Sequence, residues 1–462
     1  MRRLRESLAA LVVLCLMAGM LAIGCTSANQ VGDNVINPIP DPIPPPATNG
    51  GAQGGQQGGQ QGGGAGPGGN NDGGQQGGNQ GTFVPVDILT GLNNPTRLTN
   101  FAGFVFGLVG FNSGQNNGRL IRFALDTEAN NSATDGAQPK TVVAAAGSPL
   151  QATFTNPFDV VSTGIGGLMF VTDGFNVNNG GRVLSVVPTA NELEFTITNL
   201  TAAATTPQNP SFMLPVGPSF LFVSEFGGNN VGQVRRINLA DPANPVVEVF
   251  ANNLTFPADL VTDGEFLFIA EAGNNAVVRI RLDAGNLPVN AGIPSANVTR
   301  IQNDPAAQIM RQPFELAVND VGDVYVEEGM GLALGGLPPL GTANGQIQII
   351  RAGTDVAVDI GVGDTRLTGI TNPSGMDLVQ LEGGTQDLLL FTESVNTPNG
   401  LVRAVVVNRA DLTVASNDQI DTGLNQPFDV ITGLPQDVTR IFYTVNFEGG
   451  PPNGLVRGGG FE

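Results

Sequence analysis

Beyond residue 82 the chain is written in short apolar runs, none of which lengthens into a helical period. Residues 252–282, NNLTFPADLVTDGEFLFIAEAGNNAVVRIRL, show the pattern. A first apolar stretch follows Pro257 and ends at an Asp-Gly pair. EFLFIAE then runs to the turn AGNN, and AVVRIRL follows. Runs rich in Val, Ile and Phe, bounded by Asp-Gly and Asn-rich turns, predict antiparallel hairpins. The same order returns in NPFDVVSTGIGGLMFVTDGFNVNNGGRVLSVV and in QPFDVITGLPQDVTRIFYTVNFEGGPPNGLVRG. The fold class expected is all-β.

A recurring proline sets the period. Pro95, Pro157, Pro210, Pro257, Pro313, Pro373 and Pro427 stand 62, 53, 47, 56, 60 and 54 residues apart. Such intervals accommodate four short strands and their turns, as in one blade of a propeller. Seven prolines predict a seven-bladed β-propeller of four-stranded antiparallel blades over residues 83–462. The last unit ends one strand short, and the segment from Phe83 to Leu89 is expected to complete it, closing the ring and hiding its edges.

The N-terminal part changes the picture of where the domain works. Residues 1–24 combine Arg2, Arg3 and Arg5 with an apolar run too short to span a bilayer comfortably, which reads as an export signal. LAIGC resembles the lipobox of bacterial lipoproteins and makes Cys25 the expected lipidated residue; an ordinary secretory signal with Cys25 left as a thiol is the alternative. Residues 25–82, rich in Pro, then Gly and Gln, lack the apolar content for a core and read as a tether. The expected location is the bacterial cell envelope, the outer membrane in a Gram-negative cell, with membrane contact only through the lipid.

Charge and missing residue types narrow the chemistry. The 462 residues hold 40 Asp plus Glu against 20 Lys plus Arg, with no His and no Trp. An anionic surface repels phosphate backbones, so nucleic acid is not an expected partner. Without His, the Ser-His-Asp and Cys-His arrangements and His-ligated zinc drop out. Carboxylates, Arg, hydroxyls or a hard metal held by oxygen remain.

Acidic residues recur with the proline. Asp159, Asp259, Glu315, Asp377 and Asp429 follow it closely, whereas Asp173, Glu225, Glu271, Glu328 and Glu393 end the second strand. Arg97 holds the equivalent place in the first unit. The first set is expected to crowd the mouth of the central channel, where carboxylates repel unless protonated or neutralised by a cation, and Ca²⁺ suits such oxygens. The competing reading makes both sets structural, each acid accepting backbone N–H bonds in nearby turns. Arg119, Arg182, Arg279, Arg403 and Arg457 begin third strands and are expected to bridge blades. GMGLALGGLPPLG, in the insertion 329–345, is an apolar loop with a hypothetical lid or partner role.

The phrase from Pro257 through LFIAEAGNNAVVRI resembles NHL and YVTN-type propeller repeats over residues 83–462. Propellers of the gluconolactonase and paraoxonase kind are distantly similar. The resemblance implies acidic calcium ligands near such prolines, a part that Asp159, Asp259, Glu315 and Asp429 would play, although the register differs by about one residue and the paraoxonase histidine has no counterpart. Two functions follow as expectations. The first is a non-enzymatic, monomeric binding or scaffold propeller for an envelope protein, glycan or small molecule. The second is a Ca²⁺-dependent lactonase or lyase using the carboxylate ring.

Overall fold

The computed structural model describes residues 83–111, 118–124, 140–141, 143–144, 154–163, 168–175, 180–189, 194–202, 206–226, 232–282, 298–303, 310–328, 345–360, 370–394, 399–432, 440–445 and 454–460. The signal, Cys25, the tether and nearly all of the insertion 329–345 lie outside them. The described residues are strands and turns, with two single-turn 3₁₀ segments, Ala272–Asn274 and Glu382–Gly384.

Seven antiparallel blades succeed one another along the chain. Blade 4 is typical, with Pro257–Thr262 innermost, then Phe266–Glu271, Ala276–Arg281 and Val298–Asn303. Blades 3 and 6 start at Pro210–Val216 and Pro373–Gln380 in the same way. Val430–Thr432, Arg440–Val445 and Gly454–Gly460 form three strands of blade 7. The fourth strand paired to them is Val86–Leu92, where Val86 faces Gly458 and Leu92 faces Gly454. Two neighbouring blades also meet at their outer edges, where Gln302 and Asn303 pair in parallel with Val356 and Ala357.

The repeated proline has a partner in the preceding blade. A Cβ placed on Gly118, Gly181, Gly232, Gly345, Gly400 or Gly454 would lie 2.6, 2.5, 2.2, 2.5, 2.6 and 2.4 Å from Cδ of Pro157, Pro210, Pro257, Pro373, Pro427 and Pro95 respectively. Each glycine stands at the start of a third strand, so its bare backbone is the seat for the next proline ring. In blade 4 that place falls to Asn275, left-handed at φ 52°, whose Oδ1 accepts the N–H of Gln312 at 2.9 Å. The residue before the proline also takes positive φ at Asn94, Asn209, Phe256, Gln312, Asn372 and Gln426. Proline restricts the α region of its predecessor, and Asn tolerates the left-handed one best. Phe256 is the costly exception, held by burial and by an edge contact with Phe226 at 6.1 Å.

Aromatic rings fill the axis. Phe158 of blade 2 meets Phe428 of blade 7 at 6.3 Å, and Phe212 of blade 3 meets both Phe158 at 5.3 Å and Phe314 of blade 5 at 5.1 Å. Blades two apart in the ring can touch only across the axis. These buried rings, with Phe111, Phe175, Phe226 and Phe256, belong to one apolar cluster. They floor the central opening.

Candidate functional site

Above this floor lies a cavity of about 510 Å³, lined by residues of all seven inner strands. Asp159, Asp259, Glu315, Asp377 and Asp429 all reach it, as the sequence leads one to expect, and Arg97 joins them. Asn100, Ser162, Thr262, Asn319, Gln380 and Thr432 add amides and hydroxyls toward the rim. The wall is acidic below and amide- and hydroxyl-rich above, where the one further acid, Asp320, is paired with Arg409 and bound by Gln380.

The inner acids are employed by the ring itself. Asp159 Oδ2 accepts the N–H of Met213 at 2.8 Å, Asp259 Oδ2 that of Leu316 at 3.0 Å, and Asp429 Oδ2 that of Leu98 at 2.7 Å. In each case the donor belongs to the inner strand of the next blade. Asp377 makes the same kind of clasp to Thr432, accepting its N–H at 2.6 Å and its hydroxyl at 2.8 Å. Asp377 stands two residues further along its strand because the equivalent position is Gly375, where a Cβ would lie 2.3 Å from the carbonyl oxygen of Phe428.

Arg97 sits over the aromatic floor, its guanidinium carbon 4.8 Å from the Phe212 ring centre and 5.5 Å from that of Phe428. It donates to Asp429 Oδ1 at 2.8 Å and, across the axis, to Glu315 Oε1. Burial works against its charge, but Glu315, Asp429 and Asp159 hold it firmly protonated. Beside it is a residue that the sequence pattern did not single out. The position before the second-strand acid is Thr172, Ser224, Ala270 and Thr392 in other blades, and Thr444 matches it in blade 7. The hydroxyls of Thr172 and Thr444 tie the inner strand of their own blade to the next. Blade 5 places Glu327 there, fully buried, with neither carboxylate oxygen hydrogen-bonded among the described residues. The signal was present as VEE among VTD, VSE, IAE and FTE.

Burial dominates the electrostatics of the cluster. It pushes Asp159 up to about 7 and Asp259 up to about 6, despite the opposing pull of Arg97 and of backbone N–H groups. Burial likewise raises Asp377 and Asp429, and lifts Glu315 and Glu327 well above the carboxylate range.

Acids of the second set serve a different purpose. Asp173 Oδ1 accepts the N–H groups of Thr155 and Asn156, both at 2.8 Å, and Oδ2 pairs with Arg182. Glu271 accepts from Thr255 N at 2.9 Å and Asn274 Nδ2 at 2.7 Å and takes a two-pronged pair from Arg300. Glu393 holds Thr371 N and Arg403 in the same manner. Each therefore fastens the loop before the proline. Arg182 and Arg403 close pairs inside their own blades, contrary to the bridging role expected of them, because the third strand lies directly beside the second-strand acid and Arg182 faces Asp173 in register. Arg279, by contrast, reaches Asp355 of the next blade, and Arg457 reaches Asp421 of the preceding one.

Glu328 accepts from Arg311 N and Gln346 Nε2, both at 2.8 Å, and burial pushes it up to about 8. The pH consequence has a definite sign. Folded Asp159, Asp259 and Glu328 keep protons that the unfolded chain releases near pH 4, so the folded state binds more protons between about pH 4 and 8. Their contribution is fully present below that window and is lost as pH rises through it, by at most about 1.4 kcal/mol per pH unit for each proton. Denaturant midpoints measured at pH 5, 6.5 and 8 should therefore fall, and Glu328→Gln should flatten the upper part of the decline.

Calcium needs six to eight oxygens. Here the clasping oxygens are committed to backbone N–H groups, a guanidinium stands between Glu315 and Asp429, and no group of three or more carboxylates among the described residues is arranged to hold a metal. The residues do not fit a calcium ion.

No protein-family model and no characterised protein sequence matches the chain. Among solved structures, the periplasmic gluconolactonase of Pseudomonas aeruginosa is similar at 14% identity and TM-score 0.48, over 78% of this chain and all of that one (100%). A Bacteroides fragilis protein assigned as a 6-phosphogluconolactonase is similar at 14% identity and TM-score 0.48, over 74% and 88%. A luciferin-regenerating enzyme is similar at 8% identity and TM-score 0.42, over 82% and 95%. The chain's own strand pairing defines the propeller.

Proposed function

We propose that the protein is a non-enzymatic binding propeller, exported and held at the bacterial envelope by lipidated Cys25 and the tether 25–82, whose central funnel receives a small hydroxylated ligand bearing positive charge. The observation that carries this reading is the inequality of the inner acids. Asp377 and Asp259 have both oxygens in hydrogen bonds, and Asp429 is bound by Arg97 and Leu98. Asp159 and Glu315 line the funnel with one oxygen each engaged, Oε1 of Glu315 by Arg97 and Oδ2 of Asp159 by Met213, so Asp159 is the half-engaged acid with no hydrogen bond from the guanidinium. Its other oxygen is the natural acceptor for an ammonium group, and the rim amides and hydroxyls suit neighbouring hydroxyls of the same ligand.

Glucosamine, glucose and gluconate serve as probes of this chemistry. Thermal unfolding should shift upward with glucosamine and not with the other two, since a ligand bound only by the native state stabilises it by mass action. The shift should peak near pH 7 and fall to either side, because Asp159 is anionic only above about pH 7 while an amine flanked by hydroxyls loses its proton by about pH 8, and it should vanish in Asp159→Asn. Equal responses to all three probes would contradict the reading.

A second reading, a lactonase or lyase, is favoured by that same near-neutral Asp159, a value suited to moving a proton at physiological pH. Hydrolysis of glucono-δ-lactone above the uncatalysed rate, lost in Asp159→Asn while the fold persists, would select it over simple binding.

A further inference from the structure

We propose, resting on the ammonium-binding reading above, that the ligand of the funnel carries an apolar group beside its ammonium and that the inner strand of blade 3 is the wall that receives this group. The ligand class is thereby narrowed to amino sugars or amino alcohols with an alkyl or aryl substituent.

Blade 3 differs from the other six at the rim. Five residues after the repeated proline, and in one register against the second strand, stand Asn100, Ser162, Thr262 and Thr432, but Pro215 in blade 3. The N–H at this position points away from the ladder and along the ring of inner strands, as the bond from Thr432 N to Asp377 Oδ2 shows. Pro215 therefore removes two donors at once, the polar side chain and the N–H. Two residues earlier, the N–H of Met213 is spent on Asp159. Phe212, Met213, Leu214 and Pro215 are all that blade 3 gives to the lining, so among the described residues it alone adds no polar side chain there. Half-buried Val161 and Val261 continue the apolar surface on blades 2 and 4. Across the axis, blades 6, 7 and 1 present Gln380, Thr432 and Asn100 instead. The funnel is thus two-sided.

The clasp joins the apolar side to the charge. Asp159 is bonded to Met213 of this very wall, so an ammonium on its other oxygen stands at the wall's edge. A ligand hydroxyl turned toward blade 3 finds no donor, whereas an alkyl group gains by leaving water. The cavity, about 510 Å³, lies in the roughly 300–1,000 Å³ range of pockets for drug-sized ligands and has room for such a group beside one sugar ring.

The test uses the full chain and calorimetric titration at pH 7 with four compounds, the methyl and butyl β-glycosides of glucosamine and of glucose. Butyl glucosaminide should bind about tenfold or more tighter than methyl glucosaminide, since each fully buried methylene is worth about fourfold. Pro215→Thr, which installs the residue that blades 4 and 7 carry at this place, should cut that gain several-fold, because the new hydroxyl and N–H lose water against the alkyl chain. Val161→Thr, nearly isosteric and on the same surface, should cut it in the same direction and serves if Pro215→Thr does not fold. Equal affinity for the two glucosaminides would overturn the proposal and leave the ammonium reading standing, and a gain that survives both variants would overturn the assignment to blade 3. Butyl glucoside binding as tightly as butyl glucosaminide would uphold the wall and overturn the ammonium reading. Failure of all four compounds to bind would overturn both.

Discussion

Replacing Phe158 by alanine is expected to lower the unfolding free energy by about 3–5 kcal/mol, the range for truncating a fully buried aromatic side chain. The ring is wholly shielded from solvent and meets Phe111, Phe175, Phe212 and Phe428. These five rings come from four different blades around the axis, so no single neighbour can relax to fill the gap. The loss should appear as a lower denaturant midpoint with an unchanged slope, since the surface exposed on unfolding hardly alters. Phe158→Leu should recover much of the stability. A cost under 1 kcal/mol for the alanine variant would mean that the axis is not sealed by this cluster.

Gly400→Ala is expected to cost at least the roughly 1–3 kcal/mol typical of overpacking. The new methyl would lie 2.6 Å from Pro427 Cδ, 2.9 Å from Leu424 O and 3.0 Å from Glu393 O. The two backbone oxygens belong to blade 6 itself and only the proline ring to blade 7, so relief requires blade 6 to deform at this corner as well as Pro427 to draw back. Gly353→Ala is the natural control, because it has positive φ but no atom within 4 Å of the added carbon. Urea midpoints of the two variants separate the strain of a left-handed backbone from the clash at a blade junction.

The prolines and the strand order were legible because each blade repeats the same short-range code. The partner of each proline was less so. Gly232 and Pro257 are separated by a full outer strand, and only the ring brings the end of one blade against the start of the next. The same distance hid the work of the inner acids. Asp159 could be placed at the channel from its position after Pro157, but its bond to Met213 spans 54 residues. Asp377 was legible as an acid near the mouth, while the reason for its displacement, the close backbone of Phe428 against Gly375, is purely tertiary. Arg97 stood out as the base in a row of acids. Its contacts with Glu315 and Asp429 depend on which blades face one another across the axis, a matter of ring closure that no local pattern encodes.

The measurement that tests the account most directly is a crystal structure of the wild-type protein grown in about 10 mM calcium, a concentration that would fill an extracellular-type calcium site. The account predicts the Arg97 guanidinium within hydrogen-bonding distance of Glu315 and Asp429, the Asp159 and Asp259 clasps to Met213 and Leu316 intact, and no metal on the axis. A calcium ion bound by the inner acids, with Arg97 turned away from them, would contradict it and restore the carboxylate ring as a metal site.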